Sequence, residues 1–214
     1  MDETKKNIRQ AYDEWAEIYD SNENPTRDVN YRAIREEKLE LSGKKVLEIG
    51  CGTGINTVYL AQKAQRVVGV DFSDQMLAKA HQQISQDNIT FIQADITNPW
   101  SFKDESFDLV VGNLVLEHIQ RLGHVFEETY RVLLPGGKYY FAELHPYKQL
   151  GQSQAKFVSQ QTGEEVLVDA FMHSVSEYIN TALSVGFTLN KMHEYHKKGE
   201  KIPRLLTLLF EKYR

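Results

Sequence analysis

Cysteine is almost missing from this chain: Cys51 is the one thiol in 214 residues. An internal disulfide is therefore impossible, and a secreted, disulfide-stapled scaffold or a cysteine-ligated zinc site is excluded. Long apolar runs are also missing. None approaches the ~18 residues that a membrane-spanning helix needs. The opening Met1-Asp2-Glu3-Thr4-Lys5-Lys6 has no apolar stretch behind it, so the sequence predicts no signal peptide and a cytoplasmic location. Positive charge is not in excess: Lys plus Arg number 25 against 30 Asp plus Glu, a formal net charge of −5. That balance, with no basic stretch or recognition motif, argues against DNA or RNA as a partner. No repeat or low-complexity tract is visible. What remains is a globular composition, 41% hydrophobic and 26% charged, long enough for one large domain over 1–214.

The rhythm of the chain divides it. In residues 1–43 Ile8, Ala11, Tyr12, Trp15, Ile18 and Tyr19 recur at helical spacing, Asn24-Pro25 interrupts, and a second helix is expected from Tyr31 to Leu41. This segment reads as core or as a helical lid. From residue 44 to 145, five short apolar runs (45–50, 66–71, 89–95, 107–113 and 137–143) alternate with helical stretches near 54–64, 74–86 and 118–133. Near-continuous apolar runs suit strands buried on both faces of a parallel sheet, and the alternation implies a doubly wound α/β fold. Residues 146–173 read as an insertion over the site, with a hairpin around Thr162-Gly163. Residues 174–214 read as a helix and an antiparallel strand pair.

The chemistry gathers at the strand ends. Glu48-Ile49-Gly50-Cys51-Gly52-Thr53-Gly54 follows the first strand directly. Glycines there permit tight turns and close approach of a ligand, and the next helix offers free N–H groups. The third glycine comes one residue too early for the dinucleotide fingerprint G-x-G-x-x-G. Asp71 ends the second strand, where an acid can accept both hydroxyls of a ribose. Asp95 ends the third and could accept from an adenine amine. The alternative for each acid is a capped turn without a ligand. Together, Glu48, Asp71 and Asp95 favour a nucleoside with a cationic amino-acid tail over a diphosphate. Cys51 reads as a small packing residue.

These residues resemble the class I S-adenosylmethionine-dependent methyltransferases. The resemblance rests on Val46 through Gly54, on Val70-Asp71-Phe72-Ser73 with Met76-Leu77, and on Ala94-Asp95-Ile96. It also rests on Phe107-Asp108 through Asn113-Leu114-Val115-Leu116-Glu117-His118, and on Leu133-Leu134-Pro135-Gly136-Gly137. It implies a Rossmann-like seven-stranded sheet of order 3-2-1-4-5-7-6, the seventh strand antiparallel, under an N-terminal helical lid. It implies S-adenosylmethionine as cofactor, S-adenosylhomocysteine as product and a small-molecule acceptor. Gly50, Gly52 and Gly54 would cradle the methionine part, with Glu48 close by and Cys51 and Thr53 counted with the cofactor-binding loop. Asp71 would hold the ribose. Phe72, Ser73 and Met76 would lie by the adenine, with Asp95 at its amine and Ile96 on its ring. Asn113 and Leu114 would lie near the sulfonium, and Tyr12 and Tyr19 would close over it.

Displacement at a sulfonium needs alignment of donor and acceptor more than any one side chain. His118 and His145 are the candidate bases, since a neutral imidazole takes a proton at pH 7. Trp15, Tyr147, Phe171 and His173 are the candidate acceptor pocket, with Phe157 nearby, and they suggest an aromatic or apolar acceptor. No spacing suggests a metal. A monomer or homodimer with no membrane partner is expected. Two other readings stay open: a binding protein that holds the cofactor without catalysis, and a nicotinamide-dependent oxidoreductase on a similar sheet. A protein or RNA methyltransferase fits the compact insertion less well.

Overall fold

The apolar runs form the middle of one sheet. The computed structural model describes residues 3–213. Its elements begin with α1 (Glu3–Trp15) and α2 (Pro25–Glu36), followed by β1 (Lys45–Ile49), α3 (Ile55–Ala61), β2 (Arg66–Asp71), α4 (Asp74–Gln83) and β3 (Ile89–Gln93). Next come β4 (Phe107–Asn113), a 3-10 turn at Leu116–His118, α5 (Leu122–Val132) and β5 (Leu133–Leu144). The remainder is α6 (Pro146–Leu150), β6 (Lys156–Val158), β7 (Glu165–Leu167), α7 (Val175–Val185), β8 (Phe187–Tyr195) and β9 (Leu205–Lys212). The large sheet has seven strands in the order β3-β2-β1-β4-β5-β9-β8. Strand β9 runs antiparallel to both neighbours. Because β6 and β7 pair apart as a small hairpin, this is the expected order 3-2-1-4-5-7-6.

The period of two along each strand sorts side chains between two cores. Leu47 and Ile49 of β1, with Tyr139 and Phe141 of β5, pack beneath α5 and α7 against Phe126 and Tyr178. Val46, Tyr140 and Ala142 face the other way, onto Ala33, Ile34 and Leu60 of α2 and α3. Each fully buried Leu, Ile or Phe side chain contributes about 1.5–3 kcal/mol, so both faces of the sheet are firmly held. A third cluster joins α1 to the insertion: Ile8, Trp15, Met76, Phe157 and Val168.

Two helices differ from expectation. The second runs from Pro25 to Glu36, not from Tyr31 to Leu41. Asn24 does not only interrupt: its Oδ1 accepts from the N–H groups of Thr26 and Arg27, and Pro25 takes the first helical position. The expected helix over 118–133 is split. A 3-10 turn ends at His118, Ile119 is extended, and α5 begins at Leu122. That break turns Glu117 and His118 toward the sheet's carboxyl edge. Among the described residues, no helix is long and apolar enough to cross a membrane.

Candidate active site

The carboxyl ends of β1, β2 and β4 open on one cavity of about 630 Å3 of free space, its mouth included. Gly50 and Gly52 form one wall, and Asp71, Phe72 and Met76 another. Asp95 and Ile96 close the third side, Asn113, Leu114 and His118 the fourth, and Tyr12 and Tyr19 reach over from the N-terminal segment. The sequence reading missed Ala94, Val115 and Ile119, which also line it. Their only signal is adjacency to strand-end motifs.

The glycine loop divides its labour. Gly52 has φ +54, and a Cβ there would meet nothing within 4 Å, so its backbone faces open space. Gly54 has φ +85, and a Cβ would come within 2.5 Å of the Ile84 side chain. Gly54 is thus fixed by packing and does not line the cavity. Neither do Glu48, Cys51, Thr53 and Ser73. Glu48 shares the face of β1 that carries Val46, so its carboxylate turns to α3 and accepts from the Thr57 hydroxyl at 2.5 Å. Burial pushes Glu48 up to about 8. Cys51 is buried, and burial raises its thiol well above the usual range. Thr53 donates to Asp20 at 2.7 Å. Ser73 caps α4 by accepting from the Met76 N–H and donates to Asp13.

Asp71 is 8% exposed. Its Oδ2 accepts from Gly52 N–H at 2.8 Å and its Oδ1 from Ser73 N–H at 2.9 Å. It therefore ties the glycine loop to the start of α4 while facing the cavity. Desolvation by burial raises it, and these backbone donors counter that. Asp95 both lines the cavity and caps its own turn, since Oδ1 accepts from Thr97 N–H at 2.9 Å and Oγ1 at 2.6 Å. Leu114 holds φ +55 without being glycine. This conformation costs of order 1–3 kcal/mol, and it sits where β4 leaves the sheet.

The lid is closed on this edge. Arg9 pairs with Asp74 at 2.5 Å, and Trp15 stacks on Phe157 with centroids 5.2 Å apart. The Tyr12 hydroxyl lies 2.7 Å from His118 Nε2, while His118 Nδ1 lies 2.8 Å from the Asp169 carbonyl. A carbonyl only accepts, so Nδ1–H donates to it and Nε2 accepts from Tyr12. Burial raises Tyr12 well above its ordinary range, which keeps that proton on the phenol.

Beyond Tyr12, Tyr19 and Leu114 lies a second, larger chamber of about 1630 Å3 including its mouth. Trp15 lines it as expected, but about half of its wall is polar. Glu117, Gln149, Gln154, Lys156, Glu165 and Arg204 face it, and the sequence reading assigned none of them. The other expected wall residues stand elsewhere. Tyr147 is 56% exposed on the outside. The Phe171 N–H donates to the Glu117 carbonyl, but Phe171 lines neither chamber. His173 is buried and joins α7 to the 3-10 segment through Glu177 Oε1 and the Ile119 carbonyl. His145 is fully buried: its Nδ1 accepts from Tyr147 N–H to cap α6, so its Nε2–H donates to Glu194 at 2.9 Å. Neither histidine lines either chamber, which removes His145 as a candidate base. His145→Ala should therefore lower the melting temperature by several degrees, the cost of a lost cap being about 1 kcal/mol. It should leave S-adenosylhomocysteine affinity within about twofold; a folded variant with impaired turnover alone would restore a catalytic role.

A ligand for the first cavity must carry hydrogen-bonding groups. Asn113 is 8% exposed, and both its Oδ1 and Nδ2 are buried without a partner. No lysine or arginine among the described residues lines the cavity, while the carboxylates of Asp71 and Asp95 do. A ribose for Asp71, an amine for Asp95 and an amino-acid tail for Asn113 are consistent with this donor set.

Comparison with known proteins agrees. Residues 47–141 match the family model described as a methyltransferase domain. Over this cofactor-binding core the chain is similar to S-adenosylmethionine-dependent methyltransferases. The ubiquinone biosynthesis O-methyltransferase of Pseudomonas fluorescens (strain Pf0-1) is 33% identical over 125 residues, 56% of this chain and 54% of the relative. The chain thus spans about half the length of the curated relatives first matched. An uncharacterized methyltransferase of Emericella nidulans is 27% identical across 90% of this chain and 79% of its own. The solved DhpI-SAM-HEP complex superposes with a TM-score of 0.79 at 22% identity, over 98% of each chain.

Proposed function

We propose that this chain transfers the methyl group of S-adenosylmethionine to a small-molecule acceptor held in the second chamber. The observation that carries this reading is the shared wall. Tyr12, Tyr19 and Leu114 line both spaces, so ligands in the two can meet there. S-adenosylmethionine supplies an activated methyl on a positively charged sulfur.

The residues have distinct tasks. Asp71 would accept from the ribose hydroxyls, and Phe72, Met76 and Ile96 would pack on the base, with Asp95 at its amine. Gly50, Gly52 and Asn113 would hold the amino-acid tail. Tyr12 and Tyr19 would exclude water from the reacting atoms and orient the acceptor. Burial pushes Tyr19 up to about 12, so its phenol too stays neutral. Glu48, Cys51, Thr53, Gly54 and Ser73 would act one layer back, by fixing the loop and the start of α4.

Calorimetric titration tests the reading. S-adenosylmethionine and S-adenosylhomocysteine should bind near 1:1 at micromolar levels, and NAD should not. In Gly52→Val, a side chain placed at positive φ and aimed into open space should abolish binding in a folded protein. NAD binding in place of the other two would transfer the protein to the oxidoreductases.

A further inference from the structure

The second chamber has one corner built almost wholly of hydrogen-bond acceptors. Glu117 is 4% exposed yet lines the chamber. Its side chain receives one long hydrogen bond, from Gln149 Nε2 at 3.3 Å. A carboxylate offers about four lone-pair sites, so most of its capacity is unused. Beside it, Gln149 Oε1 is buried with no partner at all. A buried carboxylate with spare lone pairs and a buried amide oxygen with no partner call for a ligand that brings donors.

The position of this corner matters as much as its chemistry. Glu117 Oε1 lies 3.9 Å from His118 Nε2, the atom that accepts from the Tyr12 hydroxyl. His118 faces the first cavity and Glu117 the second. The carboxylate therefore stands at the partition between the two. It is held there from behind: Glu143 accepts from the N–H groups of Val115, Leu116 and Glu117 and fixes the 3-10 turn. His118 cannot take a further proton at Nε2 while Tyr12 donates to it. Glu117 is the acceptor at the partition that remains available.

The chamber's cations point the same way. Arg204 is committed to Glu200 and Lys156 to Glu165. Glu117 has no lysine or arginine partner among the described residues, so nothing in this corner would neutralise an anionic acceptor.

We propose that Glu117 accepts the proton of the methyl acceptor's nucleophile, so that the acceptor is a hydroxyl- or amino-bearing molecule without net negative charge. This rests on the methyltransferase reading above. In the transfer, a lone pair on the acceptor's oxygen or nitrogen forms the bond to the methyl carbon, and the O–H or N–H proton passes to the Glu117 carboxylate, its bonding pair staying on oxygen or nitrogen. The carbon–sulfur bond breaks, and its pair returns to sulfur. Gln149 positions the nucleophile by accepting a second hydrogen bond where the acceptor offers one.

Sinefungin tests this without knowledge of the acceptor. This analogue carries an amino-bearing carbon in place of the methylated sulfur, and it presents an ammonium toward the partition. Wild-type protein at pH 8 should bind sinefungin about tenfold more tightly than S-adenosylhomocysteine, as a charge-assisted contact implies. Glu117→Gln should bring that ratio to about one and leave S-adenosylhomocysteine affinity within about twofold. Equal affinities in the wild type would overturn the proposal, even if the variant failed to fold. An unchanged ratio in a folded Glu117→Gln would overturn it too. Failure of S-adenosylhomocysteine itself to bind is a separate outcome: it would remove the methyltransferase reading and the proposal with it.

Discussion

Asp71→Ala should weaken S-adenosylhomocysteine binding by more than tenfold. The carboxylate closes β2, accepts from the Gly52 and Ser73 N–H groups, and faces the cavity. Those two bonds occupy about half of its lone-pair sites, which leaves the rest for ligand hydroxyls. Truncation removes the ligand's partner and also frees two buried N–H groups. Each unsatisfied buried group costs about 1–3 kcal/mol, and a factor of ten in affinity corresponds to about 1.4 kcal/mol. The loop contribution can be separated from the ligand contribution. Asp71→Asn keeps the size and one acceptor oxygen, so it should melt closer to the wild type than alanine does, yet still lose affinity. Calorimetry on both variants, with melting curves beside it, gives the comparison. Unchanged affinity in a folded Asp71→Ala would falsify the ribose assignment.

Much of this site was legible because it is written in contiguous strand-end motifs. Gly50, Gly52, Asp71, Phe72, Met76, Asp95, Ile96, Asn113 and Leu114 each stand within a few residues of a strand's carboxyl end. A parallel sheet delivers such residues to one edge. The strand order came from the family resemblance that these motifs carry; the pattern by itself gave only the α/β alternation. The second chamber was not legible for a physical reason. Its walls come from α1, the 3-10 turn, the 146–173 insertion and the approach to β9, which meet only in the folded chain. Arg204 and Gln149 carry no local signal of this. Burial was not legible in the histidines. His145, read as a base, and His173, read as pocket wall, have every ring nitrogen spent on structural bonds. Glu117, next to the chosen His118, was read only as part of a motif. The aromatic count was misleading too, because Phe157 is consumed in stacking on Trp15 and Tyr147 faces outward.

Glu48→Gln should stabilise the protein increasingly as pH rises. Glu48 is 1% exposed, and burial pushes its carboxyl from 4.5 up to about 8 despite the Thr57 hydrogen bond. Between those values the folded protein keeps a proton that the unfolded chain has released. The folded state then binds more protons, so Glu48's contribution is fully present below the unfolded pKa and falls away as pH climbs toward about 8. One pKa unit is worth about 1.4 kcal/mol, so the loss across this window is on the order of 5 kcal/mol. Glutamine matches the protonated acid in shape, can still accept from Thr57, and does not titrate. The two proteins should thus have similar stability near pH 4, and the variant should pull ahead by about ten degrees or more in melting temperature near pH 8. Parallel melting curves across that range would mean that Glu48 is ionised in the folded state. Binding then reads out its surroundings independently. Because the carboxylate turns to α3 and does not line the cavity, S-adenosylhomocysteine affinity should change by no more than about twofold. A larger loss, together with parallel melting curves, would place an ionised Glu48 against the ammonium of the bound cofactor, the role that its position before the glycine loop first suggested.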